Sequence, residues 1–94
     1  MEQDIDNVLK GIMSSSTTVG CLVANNQGLC IEKRGDISPN TAGLATAILC
    51  QASKLEPNSN APIVALETGK KTCLIHKHGI TGVVYKEVAK QGAR

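Results

Sequence analysis

The chain has 94 residues, which is enough for one folded domain, and it contains one tyrosine but neither phenylalanine nor tryptophan. Its core must therefore be built from Ile, Leu, Val, Ala and Cys side chains, and a partner chain that covers further apolar surface would be a natural supplement to its stability. The formal net charge is only +2, the Lys and Arg residues are scattered, and a single tyrosine cannot form an aromatic platform that stacks on bases. These features argue against binding to nucleic acid.

The sequence contains no apolar run near the roughly 20 residues that a membrane-spanning helix needs, so we expect no membrane insertion. Its first residues are acidic rather than basic and apolar, which argues against a secretory signal and favours a cytoplasmic protein whose mature form is the whole chain. The four cysteines are widely and irregularly spaced. We expect them to be reduced thiols, with a disulfide-linked secreted fold as the alternative.

The first predicted element is a helix over residues 3–13. Its apolar residues Ile5, Val8, Leu9 and Ile12 recur at the spacing of one helical face, so the helix is expected to cover a flank of the domain. A helix lying on a membrane is the alternative, but the polar face is acidic where such helices usually present Lys and Arg.

A β-hairpin is predicted next. Residues 17–24 are rich in β-branched side chains, the turn-forming residues 25–28 follow, and residues 29–33 form the second strand. Arg34, Gly35 and Asp36 are expected to form the polar turn that leaves this strand.

The middle of the chain predicts a long helix. Ser38 is placed as its N-cap and Pro39 at its first position, and the helix is expected to run to about Leu55, before Pro57 and a polar loop at 58–60. Its apolar side chains spread over about 160°, where packing on one sheet needs nearer 100°. These side chains are Ala42, Leu44, Ala45, Ile48, Leu49, Ala52 and Leu55. The extra width of this apolar arc indicates that the helix contacts a second surface besides its own sheet.

Three strands follow, at 63–66, 72–76 and 80–85, separated by tight-turn signals at 68–71 and at His78-Gly79. The order helix, two strands, helix, three strands predicts an α+β domain with a single five-stranded antiparallel sheet. The long helix is expected on one face, with the short first helix beside it or on the other face. Residues 1–88 are assigned to the domain and 89–94 to a flexible tail.

The sequence offers little catalytic chemistry. His76 and His78 share a strand face about 7 Å apart, but a metal site would need a third ligand, so polar residues at a strand end are the preferred interpretation. Cys73 and His76 lie on opposite faces of a regular strand, and Cys50 is expected to be the most exposed thiol. A thiol-dependent enzyme using Cys50 or Cys73 remains the alternative from a different class. No catalytic, cofactor-binding or metal-binding residue is expected.

Several short segments follow one another in a fixed order along the chain. They are Val19-Gly20-x-Leu22, Gln27-Gly28-Leu29, Arg34-Gly35, Ala42-Gly43, Gln51-Ala52-x-Lys54-Leu55, Pro62-x-Val64-x-Leu66-Glu67 and Lys77-His78-Gly79-Ile80-Thr81. This ordered set resembles the roadblock-type subunits of the Ragulator complex. The resemblance covers residues 2–88, with departures at Pro39, at the short turn His78-Gly79 and in the longer C-terminal tail.

This resemblance implies a roadblock fold, in which two domains pair through their middle helices and third strands to form one ten-stranded sheet. It implies a heterodimer with a second roadblock subunit, held by a lipidated Ragulator anchor subunit at the cytosolic face of late endosomes and lysosomes. There the complex would recruit Rag GTPases for amino-acid-dependent activation of the target-of-rapamycin complex. The subunit itself would be a non-catalytic scaffold.

The surplus helix arc and the apolar third strand together predict the partner interface, because an unpaired apolar strand edge would promote aggregation. A homodimer that binds and regulates a small GTPase directly is the alternative assembly. The predicted interface residues are Leu44, Ala45, Ile48, Leu49, Ala52, Leu55, Ile63, Val64 and Ala65.

Overall fold

A computed structural model describes residues 2–55, 57 and 63–87. The element order α-β-β-α-β-β-β and the single antiparallel sheet confirm the predicted α+β architecture. The predicted loop at 58–60 and the predicted tail at 89–94 lie outside the described residues. The elements are α1 (Glu2–Met13), β1 (Thr18–Ala24), β2 (Cys30–Gly35), α2 (Thr41–Ser53), β3 (Ile63–Glu67), β4 (Lys71–His78) and β5 (Ile80–Glu87).

The sheet has the strand order β2-β1-β5-β4-β3, so β5 lies at its centre between β1 and β4, and β2 and β3 lie at its edges. Leu22 of β1 is opposite Val83 of β5, and Val83 is opposite Ile75 of β4. Directly paired residues of antiparallel strands share a sheet face, so these three side chains form a row across one face. All three are buried.

Helix α2 covers this row. Its buried residues Ala42, Ala45 and Leu49 belong to one core cluster with Leu22, Ala24, Ile75, Val83 and Ile37. The small alanines let the helix lie close to the sheet, and Leu49 supplies the bulk. The main core therefore lies between α2 and the centre of the sheet.

Helix α1 covers the opposite face. Leu9 packs with Cys21 and Val23 of β1 in a second cluster, which is distinct from the cluster under α2. Cys21 and Val23 alternate along β1 with Leu22 and Ala24, which point to α2, and alternation along a strand places the two sets on opposite faces. The position of α1 that the sequence left open is thus the face away from α2.

The end of β2 differs from the prediction. Arg34 and Gly35 belong to the strand and do not form the turn after it, because Gly35 pairs with Gly20 of β1. The backbone of Gly35 has a φ of 77°, and the N–H of Asp36 donates to the carbonyl of Val19 at 3.0 Å. A glycine at this position thus extends the pairing by a residue that a sequence pattern assigns to a turn.

The ends of α2 also differ from the prediction. Pro39 lies before the helix, in a turn in which the N–H of Thr41 donates to the carbonyl of Ser38 at 3.0 Å; the cap position is Asn40. At the other end the helix stops at Ser53, and the N–H of Leu55 bonds to the carbonyl of Ala52 in a tighter final turn. The predicted helix was therefore too long at both ends.

Candidate partner interface

The two edges of the sheet differ in chemistry. Among the described strands, β3 pairs only with β4, and its outer edge is open; Ile63 on this strand is 70% exposed. The other edge strand, β2, carries the charged run Glu32, Lys33 and Arg34. Charged side chains on an edge strand discourage pairing with another chain, whereas an apolar edge invites it. The β3 edge is the one suited to a partner.

An apolar groove lies beside this edge, between α2 and the outer strands. It has a volume of about 290 Å³. Leu44 and Ile48 line it from α2, Leu66 from β3, and Cys73 and Tyr85 from the two neighbouring strands. We call this feature the α2–β3 groove. It continues the apolar surface of the helix down to the strand edge.

Helix α2 is uncharged along its whole length, from Thr41 to Ser53. Leu44 is 66% exposed, and Ile48 is partly buried against the core. A surface helix in a monomer usually carries charged residues on its outer face, so this composition is typical of a helix that packs on both sides. Neither helix in the described part of the chain is long and apolar enough to cross a membrane.

The structure divides the interface residues predicted on the middle helix, of which Leu55 lies just beyond the end of α2, into an accessible group and a buried group. Leu44 and Leu55 are exposed, while Ile48 and Ala52 are half-buried. Ala45 and Leu49 are buried against the sheet of the same chain, where they form part of its core. A partner therefore has access to the exposed and half-buried residues, but not to the two buried ones.

The strand residues are also divided, by sheet face. Val64 is opposite Ile75, so it faces α2, whereas Ile63 and Ala65 are opposite His76 and Leu74 and face the side of α1. A partner strand added at the edge would meet all three through the backbone, but only Val64 belongs to the side of the groove.

Sequence reasoning missed Leu66 and Tyr85, both of which line the α2–β3 groove. Leu66 is opposite Cys73 and is 44% exposed. The period of two along β3 puts Leu66 on the face of Val64, so alternation could have found it. Tyr85 comes from β5, two strands away, and no local pattern signals its position.

The candidate thiol sites are dispersed. Cys73 packs on the side of α2 and His76 lies on the side of α1, as predicted from their spacing. Burial raises the pKa of the Cys73 thiol, which favours its unreactive protonated form. Cys50 is exposed, as expected. Among the residues described, no three His, Cys, Asp or Glu side chains are grouped to hold a metal ion, and the side chain of His78 lies outside that set.

Residues 1–86 match the family model described as Ragulator complex protein LAMTOR5. The chain belongs to the LAMTOR5 family. A LAMTOR5 homolog from Nematostella vectensis is 32% identical over 88 residues, which span 92% of this chain and 97% of that protein. A LAMTOR5 protein from Xenopus laevis has the same identity and coverage. These matches identify the chain as a member of a family of Ragulator complex proteins.

Solved structures show the same fold at lower sequence identity. A Roadblock/LC7 domain from Streptomyces avermitilis superimposes with a TM-score of 0.72 at 16% identity, covering 87% of this chain and 77% of that one. MglB from Myxococcus xanthus gives a TM-score of 0.76 at 17% identity, covering 90% and 71%. The LAMTOR5-family chain therefore has the roadblock fold that the sequence resemblance predicted.

Proposed function

We propose that this LAMTOR5-family chain is a non-catalytic scaffold subunit of a Ragulator-type complex, and that it forms a heterodimer with a second roadblock protein through α2 and β3. The observation that carries the proposal is the α2–β3 groove beside an open strand edge that is apolar from Ile63 to Leu66. Family membership supports the complex, and the groove supports the mode of pairing.

The groove accounts for how a partner would be held. A strand added to β3 would satisfy the free backbone groups of that edge, and a helix from the same partner would cover Leu44, Ile48 and Leu66. Backbone hydrogen bonds would fix the orientation of the partner strand, while burial of the apolar side chains would supply most of the free energy of binding. The accessible surface for this contact is Leu44, Ile48, Ala52, Leu55, Val64 and Leu66, together with the edges of Ile63 and Ala65.

Membership of the family supports a wider role for the chain. Within a Ragulator-type complex the heterodimer would be held by a lipidated anchor subunit at the cytosolic face of late endosomes and lysosomes. The assembly would recruit Rag GTPases and so support amino-acid-dependent activation of the target-of-rapamycin complex. In this role the chain contributes a binding surface, which agrees with the separate positions of Cys73 and His76 on opposite sides of the sheet.

The test is co-expression of the chain with a roadblock subunit of a Ragulator-type complex, followed by light scattering of the purified product. Wild-type protein is expected to give a 1:1 heterodimer. The change Leu44→Asp places a carboxylate in the desolvated contact and is expected to weaken the pairing at least tenfold.

The matched control is Leu29→Asp, because Leu29 is exposed to a similar extent, 62% against 66% for Leu44, and does not line the α2–β3 groove. This control is expected to leave the heterodimer intact. Equal binding by the wild-type and Leu44→Asp chains would contradict pairing through α2, and loss of binding in both variants would indicate a general loss of solubility or fold.

A homodimer is the second candidate, because the uncharged helix α2 carries no like charges that would repel a copy of itself. Light scattering of the chain expressed alone separates the two assemblies. A stable dimer without a partner, and no exchange when a roadblock subunit is added, would favour the homodimer and its direct contact with a small GTPase.

A further inference from the structure

The side chain of Arg34 links strand β2 to helix α1 through an ion pair. It donates from Nη2 to Oδ1 of Asp6 on α1, and from Nη1 to Oε2 of Glu32 on its own strand at 2.6 Å. Asp6 is also 3.2 Å, at Oδ2, from Nζ of Lys10 one turn further along α1. In the described part of the chain, the pair Asp6–Arg34 is the one ion pair that joins a helix to the sheet.

The apolar attachment of α1 is small and separate from the main core. Of its side chains, Leu9 is fully buried, while Ile5, Ile12 and Met13 are partly buried. These residues rest on Cys21 and Val23 of β1 and on Val84, and none of them belongs to the cluster under α2. Removal of α1 would therefore leave the packing of α2 and the strand pairing in place.

The connection to β1 allows such a movement. Residues 14–16 are exposed and form a short turn in which the N–H of Ser14 bonds back to the carbonyl of Lys10 at 3.1 Å. A 12-residue helix is marginal in water on its own, so α1 depends on its contacts with the sheet. Rotation about this turn would free the helix without breaking any strand pair.

We propose that α1 is a hinged cover that opens as a unit, and that the Asp6–Arg34 ion pair is the clasp that keeps it closed over β1 and β2. On one flank α1 is held by this clasp; on its other flank lies an apolar groove of about 290 Å³, lined by Val8 of α1 and by Leu74 and Ile80 of the sheet. Val23 already lines that groove, and opening would add Cys21 to it. The face opposite α2 would then present a larger apolar surface, available only in the open state.

Cys21 reports this opening directly. Its side chain is fully buried beneath α1, with Sγ 4.0 Å from the carbonyl of Leu9. Burial raises the pKa of the Cys21 thiol, so the closed state reacts slowly with an alkylating reagent. Alkylation of Cys21 therefore requires α1 to leave the sheet.

The experiment measures iodoacetamide labelling of each cysteine in the full chain by mass spectrometry, alongside hydrogen exchange of β5 as a monitor of global unfolding. Asp6→Asn is expected to label Cys21 about fivefold faster, while Cys73 and the β5 amides keep their wild-type rates. The matched control is Asp4→Asn, the same change on the same helix at an exposed residue with no ion pair in the described part. Its Cys21 rate should stay within about twofold of wild type.

Salt gives a second readout. Raising the salt concentration from about 0.05 M to about 0.5 M screens exposed ion pairs, so it should accelerate Cys21 labelling in the wild type and much less in Asp6→Asn. An unchanged Cys21 rate in Asp6→Asn, equal acceleration in Asp4→Asn, or an equal salt response in Asp6→Asn would each overturn the clasp. Faster reaction of Cys21, Cys73 and the β5 amides together would show global unfolding and overturn the hinged cover.

Discussion

Gly35 and Gly11 differ in how much space surrounds their Cα atoms. Gly35 has a φ of 77°, and a Cβ built on it would lie 2.5 Å from the carbonyl oxygen of Val19 and 2.8 Å from the terminal carbon of Met13. Gly11 is in the exposed part of α1, and a Cβ there would meet nothing within 4 Å. The first glycine is required by the close approach of β2 to β1, whereas the second only weakens a helix.

The change Gly35→Ala is expected to destabilise the fold by about 2 kcal/mol or more, because it forces an alanine into a positive φ against a backbone carbonyl. Gly11→Ala is the matched change and should stabilise the fold by about 0.5–1 kcal/mol through helix propensity. Urea unfolding followed by circular dichroism measures both. Equal effects of the two changes would contradict this assignment of roles.

The sequence predicts the elements of this fold well, because each carries a local signal. Apolar residues at helical spacing mark α1, and a β-branched run at β1 followed by turn-forming Asn and Gly residues marks the hairpin of β1 and β2. The ends of elements are less predictable. Gly35 reads as a turn residue but extends β2, since its conformation is set by its contact with Gly20 on the neighbouring strand.

The faces of α2 are the part of the candidate interface that the sequence could not resolve. Its apolar arc is wider than one contact needs, which correctly marks a helix with apolar surface on two sides. Whether a given residue faces the sheet of its own chain or the outer surface depends on how the helix is rotated about its axis over the sheet. That rotation, set by the row from Leu22 to Ile75, buries Ala45 and Leu49 and leaves Leu44 exposed.

The docking of α1 is expected to weaken in acid. Hydrogen bonds from Lys10 and Arg34 hold the pKa of the Asp6 carboxyl below its ordinary value of 3.8. A carboxyl with a lowered folded pKa stabilises the folded state above its unfolded pKa, and this contribution is lost as the pH falls through the folded pKa. Hydrogen exchange of α1 amides should therefore accelerate, relative to β5, as the pH drops below 3.8.

The variant Asp6→Asn isolates this effect, because it lacks the titrating group while Glu32 and the other carboxylates remain. In this variant the ratio of α1 to β5 exchange should already be high at neutral pH and should change less in acid. An identical pH dependence of that ratio in wild type and variant would assign the acid response to other carboxylates.

At the scale of the whole molecule, the sheet is asymmetric in a way that determines how it can associate. Charged residues occupy the β2 edge, and the Arg34 guanidinium is already engaged with Asp6 and Glu32. The β3 edge is apolar from Ile63 to Leu66 and carries one charged residue, Glu67, at its end; the uncharged helix α2 lies beside it. Charge at the β2 edge disfavours pairing and the apolar β3 edge favours it, so we expect a partner strand to extend the sheet at β3.

The two faces of β3 provide the sharpest test of this pairing, because Ile63 and Leu66 lie on opposite faces of the same strand and should respond differently. Leu66→Lys places an ammonium group in the α2–β3 groove and should weaken binding to a roadblock partner at least tenfold, since the charge would lose its hydration on pairing. Ile63→Lys places the same group on the opposite face, where it replaces at most one cross-strand contact, so the loss should be less than about fivefold. Titration by isothermal calorimetry measures both affinities. Equal losses would show that the partner covers the two faces of β3 alike, and a larger loss for Ile63→Lys would place the partner on the side of α1.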